Sequence, residues 1–430
     1  MHITKHEVHL NLNVRGLPVS ATLGINEQSN RLIAEGKTVY KLGLGQSPFP
    51  VPHAVVKELQ NNAHQKDYLP VRGLPALCEA IAGYYRRSQN LTVTKDDVLI
   101  GPGSKELMFI LQLVYYGDLV IPTPSWVSYA PQAHIVGRHV HWLRTEENSN
   151  WLLSAEELDS FCSADPDKPR IVILNYPNNP TGCSYTDQQL QDLAQIARKY
   201  RIILLSDEIY GELNFTGNHR SIARYYPEGT IIASGLSKWA GAGGWRLGSF
   251  AFPAELRWLS DAMAVVASET FTATSAPIQY AAVKAFQGGE EIERYLVNCR
   301  RILKALTTWI CVRFAAAGVL VAKPDGAFYL LPDFELLREK LQARGIRDSA
   351  TLCQKLLTET GVAILPGSSF GRPANELTAR IACVDFDGAK ALTGAEQISA
   401  EVELDEGFLQ QHCEKVLVAV QEICDWATTG

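Results

Sequence analysis

The chain has 430 residues, of which 46% are hydrophobic and 20% charged, and its formal net charge is −6. That length allows two domains rather than one small core, and the composition is that of an ordinary globular protein. The mild negative charge argues against a dedicated nucleic-acid surface, and no apolar run reaches the ~18 residues of a membrane span.

From the N-terminus, Met1-His2-Ile3-Thr4-Lys5-His6 has no apolar signal-peptide core, so a cytoplasmic protein is expected. His2, His6 and His9 could line up loosely, but no carboxylate or cysteine stands beside them, and no metal is expected. The first forty-odd residues have no strong period. At Gly101-Pro102-Gly103-Ser104-Lys105-Glu106 a Gly-rich turn feeds an apolar helix start, Leu107 to Leu111. Free N–H groups and the helix dipole favour an anion there. Three short β-branched runs follow: Ile171-Val172-Ile173-Leu174, Ile202-Ile203-Leu204-Leu205 and Thr230-Ile231-Ile232-Ala233. Such runs suit strands covered on both faces. Between the first two, Thr186 and Gln189 form a capping box. Leu190, Leu193, Ala194 and Ala197 then share one helical face. This is a βαβ signature. The predicted fold is α/β, a mostly parallel central sheet with flanking helices plus a smaller α+β domain. A long helix is expected over 290–314, and short strands at Phe328-Tyr329-Leu330-Leu331 and 380–384. We expect a large domain over 45–305 and a small one from 1–44 with 306–430. The nine scattered cysteines lack any CxxC pair and read as reduced thiols.

In open α/β sheets ligands sit at the carboxyl ends of the strands. The residues following the three runs are therefore informative. They include Asn179-Pro180-Thr181-Gly182 after the first, Asp207-Glu208-Ile209-Tyr210 after the second, and Gly235-Leu236-Ser237-Lys238 with Gly244-Trp245-Arg246-Leu247-Gly248 after the third. Three strand ends thus deliver an amide, a carboxylate with a phenol, and an amine with a guanidinium.

The Lys238–Gly248 segment resembles the lysine-attachment signature of the class I/II aminotransferases, the fold-type I enzymes of pyridoxal 5′-phosphate (PLP). The Asn179 and Asp207 motifs, Gly103-Ser104-Lys105, Trp126 and Arg380 match the same family in order and spacing, over roughly residues 40 to 390. The resemblance implies that Lys238 holds PLP as a Schiff base and then serves as general base and acid. It implies that Asp207 pairs with the protonated pyridine nitrogen, and that Tyr210 and Asn179 bond the ring oxygen. Trp126 would stack on the ring. Gly103, Ser104, Lys105 and Arg246 would meet the phosphate, with a hydroxyl from Ser237 or Ser234. Many relatives carry a serine where this chain has Gly235. Arg380 and Gly45 would grip the substrate α-carboxylate, beside Trp126 and Asn179. Tyr68 matches a tyrosine that reaches a partner subunit's phosphate, so a homodimer with shared sites is expected.

The activity implied is ping-pong transfer of an amino group between an L-amino acid and a 2-oxo acid. Lys105 favours an acidic donor, aspartate or glutamate, and the aromatics Trp126 and Tyr129 favour an aromatic one. A C–S lyase or a synthase on the same fold is a further alternative. A PLP-sensing regulator would need a DNA-binding domain for which there is no room before residue 40. Asp385-Phe386-Asp387-Gly388 echoes a kinase motif but lacks the rest of that set. The glycines at 241–244 echo a dinucleotide loop, but Arg246 stands where the third glycine belongs.

Overall fold

The computed structural model describes residues 9–429; His2, His6 and the rest of the first eight residues lie outside the described part. Seven strands form one sheet: β1 Val98–Gly101, β2 Asp118–Thr123, β3 Val140–Arg144, β4 Arg170–Asn175, β5 Ile203–Asp207, β6 Thr230–Gly235 and β7 Gly248–Ala251. Their order is β1-β7-β6-β5-β4-β2-β3. All are parallel except β7, which runs antiparallel to both its neighbours.

Every residue of β4, β5 and β6 is buried, because helices cover both faces. Ile171 and Ile173 join Ile203, Leu205 and Ile231 in one core. Val172 and Leu174 point the other way and join Leu204, as the two-residue period of a strand requires. Among the covering helices are α1 (Ser104–Val114), which starts at the predicted Gly-rich turn, and α2 (Asp187–Lys199). In α2 the predicted capping box forms, with Thr186 accepting from Gln189 N and Gln189 from Thr186 N. Its four predicted apolar residues are all buried, and each leucine contributes roughly 2 kcal/mol by leaving water.

Helix α3 (Glu290–Ala316) runs unbroken for 27 residues. Glu290, Glu291 and Glu293 in its first turn complement the helix dipole. Beyond it lies a three-stranded antiparallel sheet of β8 (Tyr329–Leu330), β9 (Leu365–Pro366) and β10 (Ala379–Ala382), in the order β9-β10-β8. The strand expected at 380–384 therefore starts one residue earlier and ends at Ala382. Tyr40–Lys41 pairs in parallel with Val362–Ala363, which ties the N-terminal stretch to this C-terminal part. The helix at Ala21–Ala34 has no counterpart among the expected elements. Ser29 is its one fully buried residue, while Ile25 and Leu32 are half-buried and Leu23 and Ile33 exposed, so its apolar period is weak. Among the described residues no helix is long and apolar enough to cross a membrane.

Candidate active site

The sheet register brings the three polar strand ends together. Asn175 pairs with Asp207, and Asp207 with Ala233. Asn175 then locks the next loop, since its Nδ2 donates to Asp207 O at 2.9 Å and its Oδ1 accepts from Asn179 N at 2.8 Å. Two strand ends and the Asn179 loop thus form one hydrogen-bonded unit.

Asp207 is 4% exposed. It accepts from the Tyr129 hydroxyl at 2.6 Å and from Ile209 N at 3.3 Å. Burial raises its pKa to about 6, against the opposing pull of those bonds and of the Lys238 charge. A carboxylate held with too little compensation wants a cation. Lys238 is half-buried. Its Nζ donates to Gly45 O at 2.7 Å and lies 5.7 Å from the Tyr210 ring and 5.9 Å from that of Phe328. The Tyr210 and Tyr329 hydroxyls share a hydrogen bond of 2.9 Å, and burial raises the Tyr210 pKa well above the usual phenol value.

Arg380, on β10, is 1% exposed. Its guanidinium donates to Gly43 O and, at 3.3 Å, to Asn179 Oδ1. It lies over the rings of Tyr329 and Phe370, 4.8 and 5.1 Å from their centroids. Its Nε has no hydrogen-bond partner among the described residues, and burial lowers its pKa. A buried guanidinium bonded to neutral oxygens, with a donor to spare, suits a planar carboxylate.

At the other side, α1 begins at Ser104 with Gly103 before it. The exposed Arg246 guanidinium lies against Gly103 and donates to Gly243 O at 2.9 Å and Pro102 O at 3.3 Å. A guanidinium beside helix-start amides is a cradle for phosphate. Lys105 Nζ is 5.4 Å from the Trp126 ring. Burial and then the Arg246 charge lower its pKa. Trp126 meets Tyr129 edge-on at 5.2 Å, and Tyr129 leads back to Asp207. Gly103, Lys105, Arg246, Trp126, Asp207, Lys238, Gly45, Tyr210, Asn179 and Arg380 are thereby linked, directly or through one neighbour.

No side-chain hydrogen bond or ring contact among the described residues joins Ser237 or Tyr68 to this set. Ser237 adjoins Lys238 in sequence and is half-buried. Tyr68 is 91% exposed. Gly235 has its own reason to be glycine, because a Cβ there would overlap Leu247 O, just ahead of the neighbouring strand β7. Two tyrosines take roles that the sequence does not announce. Tyr129, expected among the aromatics near the substrate, instead bonds Asp207. Its place one turn after Trp126, whose carbonyl accepts from Tyr129 N at 3.3 Å, was the available signal. Tyr329 bridges Tyr210, Arg380 and Gly45 from far along the chain, and nothing local marks it.

The set fits PLP: an amine for the aldehyde, a buried carboxylate short of a cation, and a cationic helix start for the phosphate. Comparison with known proteins agrees. The family model described as "Aminotransferase class I and II" matches residues 37–393. An aspartate aminotransferase of Bacillus sp. (strain YM-2) is 34% identical over 371 residues, 84% of this chain and 92% of that protein. An asparagine–oxo-acid transaminase of Streptococcus mutans is 30% identical over 377 residues, 85% of this chain and 93% of that protein. The structure of Thermus thermophilus aspartate aminotransferase with maleate superposes with a TM-score of 0.82 at 26% identity, over 97% of this chain and 99% of that one. The chain belongs to the class I and II aminotransferases, fold-type I enzymes that work with pyridoxal 5′-phosphate, and it is an aminotransferase.

Proposed function

We propose that this aminotransferase takes the amino group of an acidic L-amino acid, aspartate or glutamate, and passes it to a 2-oxo acid such as 2-oxoglutarate. One observation carries the proposal: Arg380 and Lys105 are two cations with no anionic partner among the described residues. Two such cations suit a substrate with two carboxylates. The relatives named aspartate aminotransferases support it. The aromatic reading loses one of its supports, because Tyr129 is 1% exposed and committed to Asp207.

PLP, when bound, supplies an aldehyde that condenses with amines and a protonated ring that draws electrons from the substrate α-carbon. Arg246 and the first amides of α1 would hold the phosphate. Asp207, fixed by Tyr129, would keep the ring nitrogen protonated. Tyr210 and Asn179 would serve the ring oxygen, and Trp126 would pack against the ring. Arg380 orients the α-carboxylate so that the Cα proton faces Lys238 Nζ, which takes it. Lys105 meets the distal carboxylate.

The test is kcat/KM for aspartate, glutamate and tyrosine in wild type and Lys105→Ala. Losing a charge-assisted bond should lower the two acidic values about ten- to hundredfold and leave tyrosine nearly unchanged. Equal losses on all three would assign Lys105 to the cofactor alone. A wild-type preference for tyrosine would overturn the acidic reading.

The exposed Tyr68 supports a site shared between two copies, since a side chain with so little contact on its own subunit is free to reach another. Co-expressed Lys238→Ala and Tyr68→Phe subunits test this. With shared sites, the heterodimer keeps one site free of both changes and recovers about half of wild-type activity per dimer. Recovery no better than half of the Tyr68→Phe rate would place Tyr68 in its own subunit's site.

A further inference from the structure

Two carbonyls of the segment 41–49 face the site. Gly43 O accepts from Arg380, and Gly45 O accepts from Lys238 Nζ at 2.7 Å. Past Lys41 this segment is neither helix nor strand, so its shape must come from what grips it. The segment Asp385-Phe386-Asp387-Gly388 does so at several points. Asp385 Oδ2 accepts from Lys41 N at 2.8 Å. Just before it, Ala382 N donates to Leu42 O at 2.9 Å. Phe386 meets Phe49 edge-on, with centroids 5.8 Å apart and planes at 75°. Gly388 lies so close to the Pro48 carbonyl that a Cβ would overlap it. Gly241 abuts the Phe49 carbonyl equally closely, and its own N–H donates to Lys238 O at 3.3 Å. The loop is thus clasped on both flanks of its two functional carbonyls, by Asp385 ahead of Gly43 and by Phe386 and Gly388 after Gly45.

The geometry points to Asp385, Phe386 and Gly388 as positioning residues of the substrate-carboxylate site, acting through the 41–49 loop on Arg380. The inference rests on Arg380 holding the α-carboxylate, as proposed above. A guanidinium fork binds a carboxylate only in one orientation, and Gly43 O is one of two acceptors that set it. A slack loop lets the fork rotate. A displacement of about 1 Å in such a site costs up to ~100-fold. Phosphate and ring contacts lie on other elements and should not respond.

The experiment titrates maleate, a dicarboxylate that cannot react, into holoenzyme and follows the cofactor absorbance. KM and kcat for aspartate, cofactor Kd and Tm are measured on the same samples. The variants are Phe386→Ala, Phe386→Leu, Asp385→Ala and, as reference, Arg380→Ala. Phe386→Ala and Asp385→Ala are expected to weaken maleate and raise KM about tenfold, with kcat changed less and cofactor Kd unchanged. Phe386→Leu, which keeps most of the apolar contact, should recover to within about threefold of wild type. Asp385→Ala removes no core side chain, so it carries the test if Phe386→Ala does not fold. Wild-type maleate affinity in both alanine variants, with binding abolished in Arg380→Ala, would overturn the clasp and leave the carboxylate reading intact. Wild-type affinity in Arg380→Ala would overturn that reading, and the clasp with it.

Discussion

Lys238→Ala is expected to abolish turnover, by at least ~10⁴-fold, while the protein stays folded. The side chain is half-buried and its one hydrogen bond runs to Gly45 O, so truncation removes little packing. It does remove the amine that captures the cofactor aldehyde, and with it the group that takes the substrate Cα proton. Lys105, the other lysine of the set described above, lies over Trp126 rather than beside Gly45 O. Cofactor should be retained more loosely, through the phosphate cradle and Asp207. Steady-state and single-turnover rates with aspartate measure the loss, and a variant within tenfold of wild type would contradict the assignment. Borohydride reduction of wild-type holoenzyme, followed by peptide mapping, should place the pyridoxyl label on Lys238 and on no other lysine.

Asp207→Asn should lower kcat by ~10²–10³-fold, the scale of losing a preorganised electrostatic partner. An amide bonds a ring nitrogen but does not hold it protonated, so the electron-withdrawing power of the ring falls. The same substitution has a separate signature without cofactor. Burial raises the folded pKa of Asp207 to about 6, whereas an unfolded aspartate titrates at ~3.9. Between those values the folded chain holds a proton that the unfolded chain has lost. The stability from this group is therefore complete below pH ~4 and is lost as pH rises through about 6. The loss is on the order of 3 kcal/mol. An asparagine has no such slope. Cofactor-free Asp207→Asn should thus gain stability relative to cofactor-free wild type as the pH goes from 4 to 7, while being far less active once loaded. Parallel Tm curves for the two proteins would show that Asp207 is not held against its charge. Unchanged kcat would remove it from the mechanism.

Much of this chemistry was legible because it is local. A strand buried on both faces is a continuous β-branched run, and the residue that ends it is necessarily near the sheet's edge. Asn179, Asp207 and Lys238 could therefore be placed from their distance to Ile171–Leu174, Ile202–Leu205 and Thr230–Ala233. The Thr186–Gln189 cap and the face of α2 obey the same short-range rule. The N-terminal helix at Ala21–Ala34 was not read, because its few apolar residues are divided between a half-buried set with Ile25 and Leu32 and the exposed Leu23 and Ile33. The second layer of the site was invisible for another reason. Tyr129 reaches Asp207 across 78 residues, Tyr329 reaches Tyr210 across 119, and Asp385 reaches Lys41 across 344. A phenol or carboxylate leaves no periodic trace of a partner that far away; only the tertiary packing selects it. The sequence by itself thus determined the α/β class, the strand ends and the reactive side chains they deliver, since backbone period and burial act over a few residues. Only the tertiary structure decided which groups orient those side chains, because desolvation and hydrogen bonding depend on distance in space and not along the chain.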